Sequence, residues 1–424
     1  MNHFELKDGV LHAEDVSLPA IADQVGTPFY CYSLSTLQRH YRVFAEAVAQ
    51  AGNAPPLVAY AVKANPNQAV IAALAAEGAG ADVVSLGEMK RALAAGVPAD
   101  RIVFSGVGKT RAEMDAALAA GIFQFNLESL SEADMLSAAA QAAGRPARAA
   151  FRVNPDVDAG THAKISTGRA ENKFGIPIDT ARDAFAHARS LGHIDLAGVA
   201  VHIGSQLTDL APLETAFGHV GALIADLRAD GHDIRTADLG GGLGIPYAPG
   251  DPEPPLPKAY GEMVQRTAAG WDVRLVFEPG RLITGNAGVL VSRVVRLKQN
   301  GERRFVIVDA AMNDLMRPAL YDAYHQISAV QPGGETFTAD IVGPVCESGD
   351  TFAQQRGMDR VDAGDLLVFR TAGAYSATMA STYNTRLLAP EVMVSGADWS
   401  VIRARRSYEE LIAADSIPEW IRTR

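Results

Sequence analysis

The chain has 424 residues, 48% of them hydrophobic and 21% charged, which is enough for two or more globular domains. Its net charge of −11 argues against nucleic acid or an anionic membrane as a partner. Two cysteines are too few for a disulfide framework, and no run of about 18 apolar residues suggests a membrane span. The start, MNHFELKDGV, lacks a signal-peptide pattern. We therefore expect a cytoplasmic protein.

Short β-rich runs alternate with Ala- and Leu-rich helical stretches through the first two thirds of the chain. This alternation predicts βαβ units on a parallel sheet. Eight such runs in about 250 residues match the stoichiometry of a (β/α)8 barrel, with an open doubly wound sheet as the alternative. The runs are 57–62, 81–85, 101–105, 122–127, 147–153, 198–203, 235–239 and 274–278.

After residue 285 the pattern changes to strand-like runs with little helix between them. The runs GVLVSRVVRL, RRFVIVD, FTADIVG and GDLLVFR are bounded by Gly, Asn and Asp, which predicts a mostly antiparallel β domain. The opening HFELKDGVLHAEDV resembles a hairpin and is expected to pair with that domain. The predicted division is an N-terminal segment 1–30, a barrel 31–282 and a C-terminal β domain 283–424.

Polar side chains follow several predicted barrel strands, at the end where such barrels place their active sites. The stretch LVAYAVKANPN closes an apolar strand with Lys63, and burial there would favour an uncharged, nucleophilic amine. The other strand ends carry Ser85 with Glu88, Arg152 with Asn154, His202 with Ser205, the glycines 240–242, and Glu278 with Arg281. Their common position predicts one site.

The chemistry of this site suggests one ligand. A glycine turn that opens a helix offers N–H groups to a phosphate, and Ser205 and Arg281 add a hydroxyl and a guanidinium. A nucleophilic lysine suits an aldehyde, and the Glu278 carboxylate suits a protonated pyridine nitrogen. His202 is placed to stack on such a ring. The set predicts pyridoxal phosphate as the cofactor, and no metal.

Several blocks of the sequence resemble the signature motifs of diaminopimelate decarboxylases, which are alanine-racemase-like, fold-type III pyridoxal-phosphate enzymes. The blocks lie in order over about residues 26–394: YAVKANPN, FRVNPDVDAGTHAKISTGRAENKFGI, GVAVHIGSQ, DLGGGLGI, FEPGR, RPALYDAYH, GPVCESGD and GAYSATMASTYN. The resemblance implies decarboxylation of meso-2,6-diaminopimelate to L-lysine and CO2, the last step of lysine biosynthesis.

The resemblance also implies a role for each motif residue. Lys63 would carry the cofactor, His202 would stack on its ring, Glu278 would pair with the ring nitrogen, and Cys346 would protonate the carbon that CO2 leaves. Phosphate contacts would be Ser205, Gly240, Gly241, Gly242, Gly280, Arg281 and Tyr375. Substrate contacts would be Arg281, Arg317, Tyr321, Glu347 and Tyr375. In this family the Cys-Glu-Ser block reaches the neighbouring subunit's site, which implies a homodimer with shared active sites.

Other interpretations stay open at this point. Arg317 favours a substrate with a carboxylate at both ends, but an ornithine, arginine or lysine decarboxylase is the alternative. Without the resemblance, Arg317 is equally a surface ion pair. For Cys346 the alternative is a small buried hydrophobe, which its Gly-Pro-Val-Cys-Glu setting disfavours. A non-catalytic pyridoxal-phosphate carrier would need neither the β domain nor the Cys-Glu-Ser block.

Two further segments have features of functional loops. SGVGKT (105–110) looks like the end of a phosphate-binding P-loop, but Val103 stands where that motif requires glycine. The polar stretch from Asn154 to Lys173 has no regular period, and a loop of that length is usually functional. We expect it to cover the site and to become ordered when ligand binds.

Overall fold

The computed structural model describes residues 2–158, 172–250 and 253–422. The chain divides into two compact units, Thr36–Gly285 and Met1–Ser35 with Asn286–Arg424. Residues 159–171, which make up most of the predicted covering loop, lie outside the described residues. Among the helices that are described, none combines the length and the apolar character needed to cross a membrane.

Eight parallel strands close into a barrel in the described part of the unit Thr36–Gly285. Each strand pairs with its neighbours in the chain, and the last pairs back onto the first. The (β/α)8 prediction is therefore confirmed, and the open-sheet alternative is wrong. In order, the strands are Leu57–Ala61, Gly80–Val83, Ile102–Phe104, Gln124–Leu127, Ala147–Asn154, Ile194–Val201, Thr236–Asp238 and Arg274–Phe277.

Helices alternate with these strands, and polar N-caps start several of them. The side chains of Ser85, Thr110 and Ser129 each accept a hydrogen bond from the backbone N–H three residues further on. The helices are Leu34–Val48, Gln68–Ala76, Leu86–Ala94, Arg111–Ala120, Leu130–Ala143, Ala181–Ser190, Ala211–Ala229, Pro257–Thr267 and Arg281–Thr284. A two-residue strand, Ile176–Pro177, and 3-10 turns at Val62–Ala64, Ala99–Arg101, Ile178–Thr180 and Gly285–Ala287 complete the described secondary structure.

The SGVGKT segment has a structural explanation. Thr110 caps the helix Arg111–Ala120 in a capping box with Glu113. The side chain of Lys109 is only 1% exposed, and its Nζ donates to Gly106 O (2.6 Å), Asn126 O (2.6 Å) and Glu132 Oε1 (2.9 Å). All three protons of the ammonium are thus used inside the protein. The P-loop interpretation is wrong, because this lysine is committed to neighbouring barrel segments.

We expect Lys109→Met to lower the free energy of unfolding by about 3–5 kcal/mol, because it leaves the Glu132 carboxylate buried without its cation. The double variant Lys109→Met/Glu132→Gln, which removes both charges, should recover most of that loss. Urea unfolding of the three proteins measures the effect. Equal stability of the single variant and the parent would contradict the role assigned to this ion pair.

The other unit is built mainly of antiparallel strands, as predicted. Its larger sheet has the order Thr351–Asp359, Thr336–Val342, Arg303–Val308, Gly288–Asn300, Phe29–Ser33, Glu391–Ser395 and Asp398–Arg403. Leu366–Phe369 pairs with Gly288–Asn300 and with Ile327–Ala329. Two pairings in the sheet are parallel, that of Arg303–Val308 with Thr336–Val342 and that of Phe29–Ser33 with Glu391–Ser395.

The N-terminal segment belongs to this unit, which confirms that part of the predicted architecture. Its hairpin, Phe4–Lys7 with Val10–Ala13, extends to Val16–Ser17 and precedes the helix Leu18–Val25. Apolar residues from the segment share one core with strand residues 289, 291, 368, 392 and 394. The remaining described helices of the unit are Arg317–Tyr321, Tyr408–Ile412 and Glu419–Arg422, with 3-10 turns at Ala377–Met379 and Tyr383–Thr385.

Candidate active site

Lys63 lies at the carboxyl end of the first barrel strand, in the one-turn 3-10 helix that follows it. Its Nζ is 2.8 Å from Oδ2 of Asp82, which is fully buried at the end of the second strand. The Lys63 side chain itself is 37% exposed, so the predicted burial of this lysine is wrong. The Asp82 carboxylate is a charge-assisted hydrogen-bond partner of this amine.

Asp82 belongs to a group of three buried carboxyls, together with Asp238 and Glu278. Burial raises the pKa of Glu278 well above its ordinary value, and the charges of Asp238 and Asp82 raise it further, while Lys63 acts against them. Oδ1 of Asp82 is buried and has no hydrogen-bond partner among the described residues. An unsatisfied carboxylate oxygen beside a lysine indicates that a polar ligand group belongs there.

His202 follows the sixth strand and has a defined tautomer. Its Nδ1 accepts a hydrogen bond from the N–H of Gly241 (3.2 Å), so the ring proton resides on Nε2. Desolvation lowers the pKa of His202 well below its ordinary value, and the charges of Arg152 and Lys63 lower it further. Arg152 also donates to the His202 carbonyl oxygen (3.3 Å) and pairs with Glu128 (3.2 Å). The imidazole is therefore held neutral and fixed in place.

Removal of the charge on Arg152 should raise the pKa of His202 toward its ordinary value, because one of the two cations that oppose protonation is lost. The pKa should still stay below its ordinary value, because burial, the largest cause of the lowering, is unchanged. We expect this rise in Arg152→Leu and a much smaller one in Arg152→Lys, which keeps the charge. NMR titration of the imidazole resonances, assigned with His202→Gln, measures it. Identical titration of His202 in Arg152→Leu and the parent would contradict the account.

Arg281 and Ser205 form a cationic corner at the same rim. The Ser205 hydroxyl oxygen accepts from Nε (3.3 Å) and Nη2 (3.2 Å) of Arg281. Nη1 of Arg281 donates to the Tyr247 hydroxyl (2.6 Å), a contact that the sequence did not predict. Gly280 caps the short helix Arg281–Thr284 that carries the guanidinium. A hydroxyl and a planar guanidinium match the oxygens of a phosphate.

The glycine turn 240–242 differs from its prediction, because no helix begins there. The N–H groups of Gly240 and Gly241 are bonded to Asp238 Oδ1 (2.9 Å) and to His202. The chain then continues in extended form beside Leu207, and the next helix begins only at Pro257. A Cβ on Gly240, at φ +64°, would lie 2.6 Å from a backbone oxygen, so these glycines serve close packing of the rim.

The predicted residues beyond 286 lie in the other unit, where Arg317 and Tyr321 begin and end one short helix. Arg317 is only 7% exposed. Nδ1 of His325 contacts the Arg370 carbonyl oxygen (2.9 Å) and so carries the ring proton, which leaves Nε2 to accept from Arg317 Nη1 (3.4 Å). The guanidinium is buried and held by a neutral histidine, and the surface ion-pair alternative is excluded.

Cys346 and Glu347 are exposed on one loop of this unit, which excludes the buried-hydrophobe interpretation of Cys346. Asn384 Nδ2 donates to the Cys346 sulfur (3.4 Å), and the Tyr383 hydroxyl donates to Glu347 Oε2 (3.0 Å). Both partners come from the end of the GAYSATMASTYN block. Tyr375, in the same block, has a left-handed backbone with φ +54°. Such strain in a tyrosine typically marks a functional position.

Sequence reasoning missed Asp82, Asp238 and Tyr247. A signal did exist for the two aspartates, because each interrupts a short apolar strand, and a carboxylate is rarely buried without a partner or a function. No such signal marks Tyr247, which stands in a proline-rich loop and owes its role to a contact with a residue 34 positions away.

The residues present at the barrel rim fit pyridoxal phosphate. Lys63 matches its aldehyde, Glu278 its ring nitrogen, and the corner of Ser205 and Arg281 its phosphate, while the unsatisfied Asp82 oxygen offers a further polar contact. Residues 34–285 match the family model for the pyridoxal-binding domain of pyridoxal-dependent decarboxylases. Fold and site together define a pyridoxal-dependent decarboxylase.

Comparison with full-length proteins narrows the class. The chain is 55% identical to diaminopimelate decarboxylase of Zymomonas mobilis over 99% of both chains. It is 48% identical to that of Pseudomonas aeruginosa over 98% of this chain and 99% of the relative. The crystal structure of M. jannaschii diaminopimelate decarboxylase with L-lysine matches with a TM-score of 0.93 and 37% identity over 99% of each chain. The chain belongs to the diaminopimelate decarboxylase family.

Proposed function

We propose that this enzyme decarboxylates meso-2,6-diaminopimelate to L-lysine and CO2, the last step of lysine biosynthesis. The observation that carries the substrate assignment is the buried guanidinium of Arg317, held by His325. A planar guanidinium matches a distal carboxylate of the substrate, and ornithine, lysine and arginine have no distal carboxylate. The L-lysine bound in the M. jannaschii relative is the product expected of this reaction.

Cofactor binding and proton transfer are assigned to residues of the barrel. When bound, pyridoxal phosphate supplies an electron-withdrawing ring conjugated to the substrate nitrogen, which stabilises the charge left when CO2 departs. Lys63 offers its Nζ for covalent attachment, and Asp82, 2.8 Å away, is the acceptor for a proton that this amine must give up. Glu278 is assigned to the ring nitrogen.

His202 and the cationic corner position the cofactor. Because the N–H of Gly241 fixes Nδ1 as an acceptor, the His202 ring presents a neutral face for stacking. We assign the phosphate to Ser205, Arg281, Gly280, the glycines 240–242 and Tyr375. For Gly240 and Gly241 the contribution is space, since their N–H groups already have partners.

Residues of the other unit are assigned to the substrate. Arg317 takes the distal carboxylate and Glu347 the distal ammonium, with Tyr321, Tyr375 and Arg281 as further contacts. The Cys346 thiol delivers a proton to the carbon that has lost CO2, and exposure of this thiol leaves it accessible to substrate. The amide of Asn384 holds its sulfur in position.

We further propose a homodimer in which the loop of Cys346 and Glu347 completes the partner subunit's site. Exposure of both side chains on the single chain supports this. Lys63→Ala and Cys346→Ala subunits, each inactive alone, should together regain about one quarter of the parent activity, because half of all dimers in an equal mixture are heterodimers and each heterodimer keeps one of its two sites intact. Absence of recovery after refolding the mixture would count against shared sites.

The remaining assignments concern location and domains. We propose that the enzyme is cytoplasmic, since both cysteines are free and the proposed acid must remain reduced. We also propose that residues 31–282 form the cofactor-binding domain and that 1–30 join 283–424 as the second. The compact units Thr36–Gly285 and Met1–Ser35 with Asn286–Arg424 support this division to within a few residues.

Product analysis tests the proposed function. The purified protein, loaded with pyridoxal phosphate and given meso-diaminopimelate, should release CO2 and L-lysine in equal amounts, with CO2 trapped and lysine resolved by chiral chromatography. Heat-denatured protein is the control. Consumption of substrate without lysine, or formation of D-lysine, would contradict the assignment.

A further inference from the structure

The barrel interior contains a chain of hydrogen-bonded polar side chains to which the proposed function gives no role. Thr236 Oγ1 donates to Gln124 Oε1, Gln124 Nε2 to Asn126 Oδ1, and Asn126 Nδ2 to Asp238 Oδ2, each at 2.9 Å. The two strands that carry these residues, the fourth and the seventh, are not neighbours, so the bonds cross the interior. All four residues are at most 2% exposed. Barrel interiors are usually filled by branched apolar side chains.

This series of hydrogen bonds determines which way each side-chain amide faces. The Thr236 hydroxyl has one proton, and its 2.9 Å contact with Gln124 Oε1 is shorter than its 3.3 Å contact with the Ala197 carbonyl oxygen. With its oxygen accepting, Gln124 must turn its NH2 group to Asn126. The Asn126 oxygen then accepts, and its NH2 group donates to Asp238 Oδ2 (2.9 Å) and shares its second proton between Ser105 Oγ (3.1 Å) and Glu278 Oε1 (3.3 Å). The Ser105 hydroxyl in turn donates to the same Glu278 oxygen (3.2 Å).

A glycine on the neighbouring strand leaves space for the Thr236 side chain. Gly198 pairs with Thr236 in the barrel, and a Cβ there would lie 2.8 Å from the Thr236 backbone oxygen and would collide with its hydroxyl. Glycine weakens a strand interior, so its presence marks a close approach. The hydroxyl of Thr236 is thus accommodated by the backbone around it.

Asp238 and Glu278, whose carboxyls accept from the Asn126 amide, form a pair. Asp238 and Glu278 are hydrogen-bonded to each other, and burial raises the pKa of both. Their mutual bond raises the pKa of Glu278 and lowers that of Asp238, which favours Glu278 as the protonated member of the pair. Asp82 adds to the rise at Glu278, and Lys63 opposes it.

We propose that Asn126 is a positioning residue for Glu278 and that Thr236 and Gln124 fix the donor face of its amide. The amide stabilises the ionised oxygens of the pair without adding a charge. Tyr260, on the helix Pro257–Thr267, adds no negative charge near Asp238, because burial and the charge of Asp238 raise the pKa of its phenol. The link to the ring nitrogen rests on the proposed function.

Infrared spectroscopy of the full-length, cofactor-free protein tests the inference. The difference spectrum against Glu278→Gln isolates the C=O stretch of the protonated Glu278 carboxyl, and a pH series follows its loss. In Asn126→Leu the band should persist to a pH about one unit higher, because both carboxylates lose a donor. Loss of the band at the same pH in Asn126→Leu and the parent would overturn the proposal.

A matched pair at Thr236, which lies further down the chain of bonds, gives a second test should Asn126→Leu not fold. Thr236→Val keeps the shape and removes the hydroxyl, whereas Thr236→Ser keeps the donor. The pH at which the band is lost should rise in Thr236→Val and stay unchanged in Thr236→Ser. Equal behaviour of the two variants would overturn the orienting role of Thr236.

Kinetics separate this inference from the proposed function. In the loaded enzyme, Asn126→Leu should lower kcat about tenfold or more and change KM less than threefold, since the residue acts through Glu278. A rise in KM with kcat preserved would contradict a positioning role. If the parent enzyme releases no CO2 from meso-diaminopimelate, the proposed function fails, and the infrared titrations still decide the role of Asn126.

Discussion

Lys63→Ala is expected to lose the visible absorbance of the bound cofactor and on the order of a thousandfold or more of turnover. The reason is chemical, because no other group at the rim offers an amine beside the carboxylate of Asp82, among the residues the structure describes. Absorbance spectra and CO2 release measure the two effects on the same preparation. Retention of both would show that the cofactor attaches elsewhere.

Two control variants sharpen this prediction. Lys63→Arg keeps a cation next to Asp82 but offers no amine for attachment, so it should be as inactive as Lys63→Ala while preserving the ion pair. Lys90→Ala removes an exposed lysine from the nearby helix Leu86–Ala94 and should leave absorbance and turnover unchanged. Activity in Lys63→Arg would mean that only the charge at this position matters.

Cys346→Ala is expected to lower kcat about a hundredfold to ten-thousandfold, because it removes the acid assigned to the final protonation. Binding of the cofactor should be intact, since the cofactor assignments other than Tyr375 lie in the barrel. Turnover and the cofactor spectrum, recorded side by side, distinguish loss of the acid from loss of the cofactor.

The second cysteine provides the matched control. Cys31 is buried in the strand Phe29–Ser33, and burial raises the pKa of its thiol, so it packs as a small apolar side chain. Cys31→Ala should cost stability and leave kcat unchanged. A thiol reagent should label Cys346 and spare Cys31 in the native protein. Equal kcat in Cys346→Ala and the parent would assign the proton to another group.

The barrel was predictable from the sequence because its parallel strands are buried on both faces, which produces short apolar runs separated by helices. Even so, boundaries moved by a few residues. The run 198–203 was predicted as a strand, and the strand is Ile194–Val201. The polar residues at the strand ends could also be identified from the sequence, since Lys63, His202 and Glu278 each follow an apolar run.

The partners of these residues were not predictable, because they depend on strand pairing. Ala61 and Asp82 are paired across the first two strands, and this register brings Lys63 to its carboxylate. Asn126 meets Asp238 across 112 residues of chain, through the closure of the barrel. The glycine turn was misjudged for a similar reason, since Leu207 from another segment holds the chain extended beyond it.

The most direct test of the central claim is a comparison of kcat/KM for CO2 release from meso-diaminopimelate, ornithine, lysine and arginine. We expect meso-diaminopimelate to be preferred by about a thousandfold or more, because it alone of the four amino acids carries a distal carboxylate that can pair with the guanidinium of Arg317. Release of CO2 from ornithine, lysine or arginine at a comparable or higher kcat/KM would contradict this expectation.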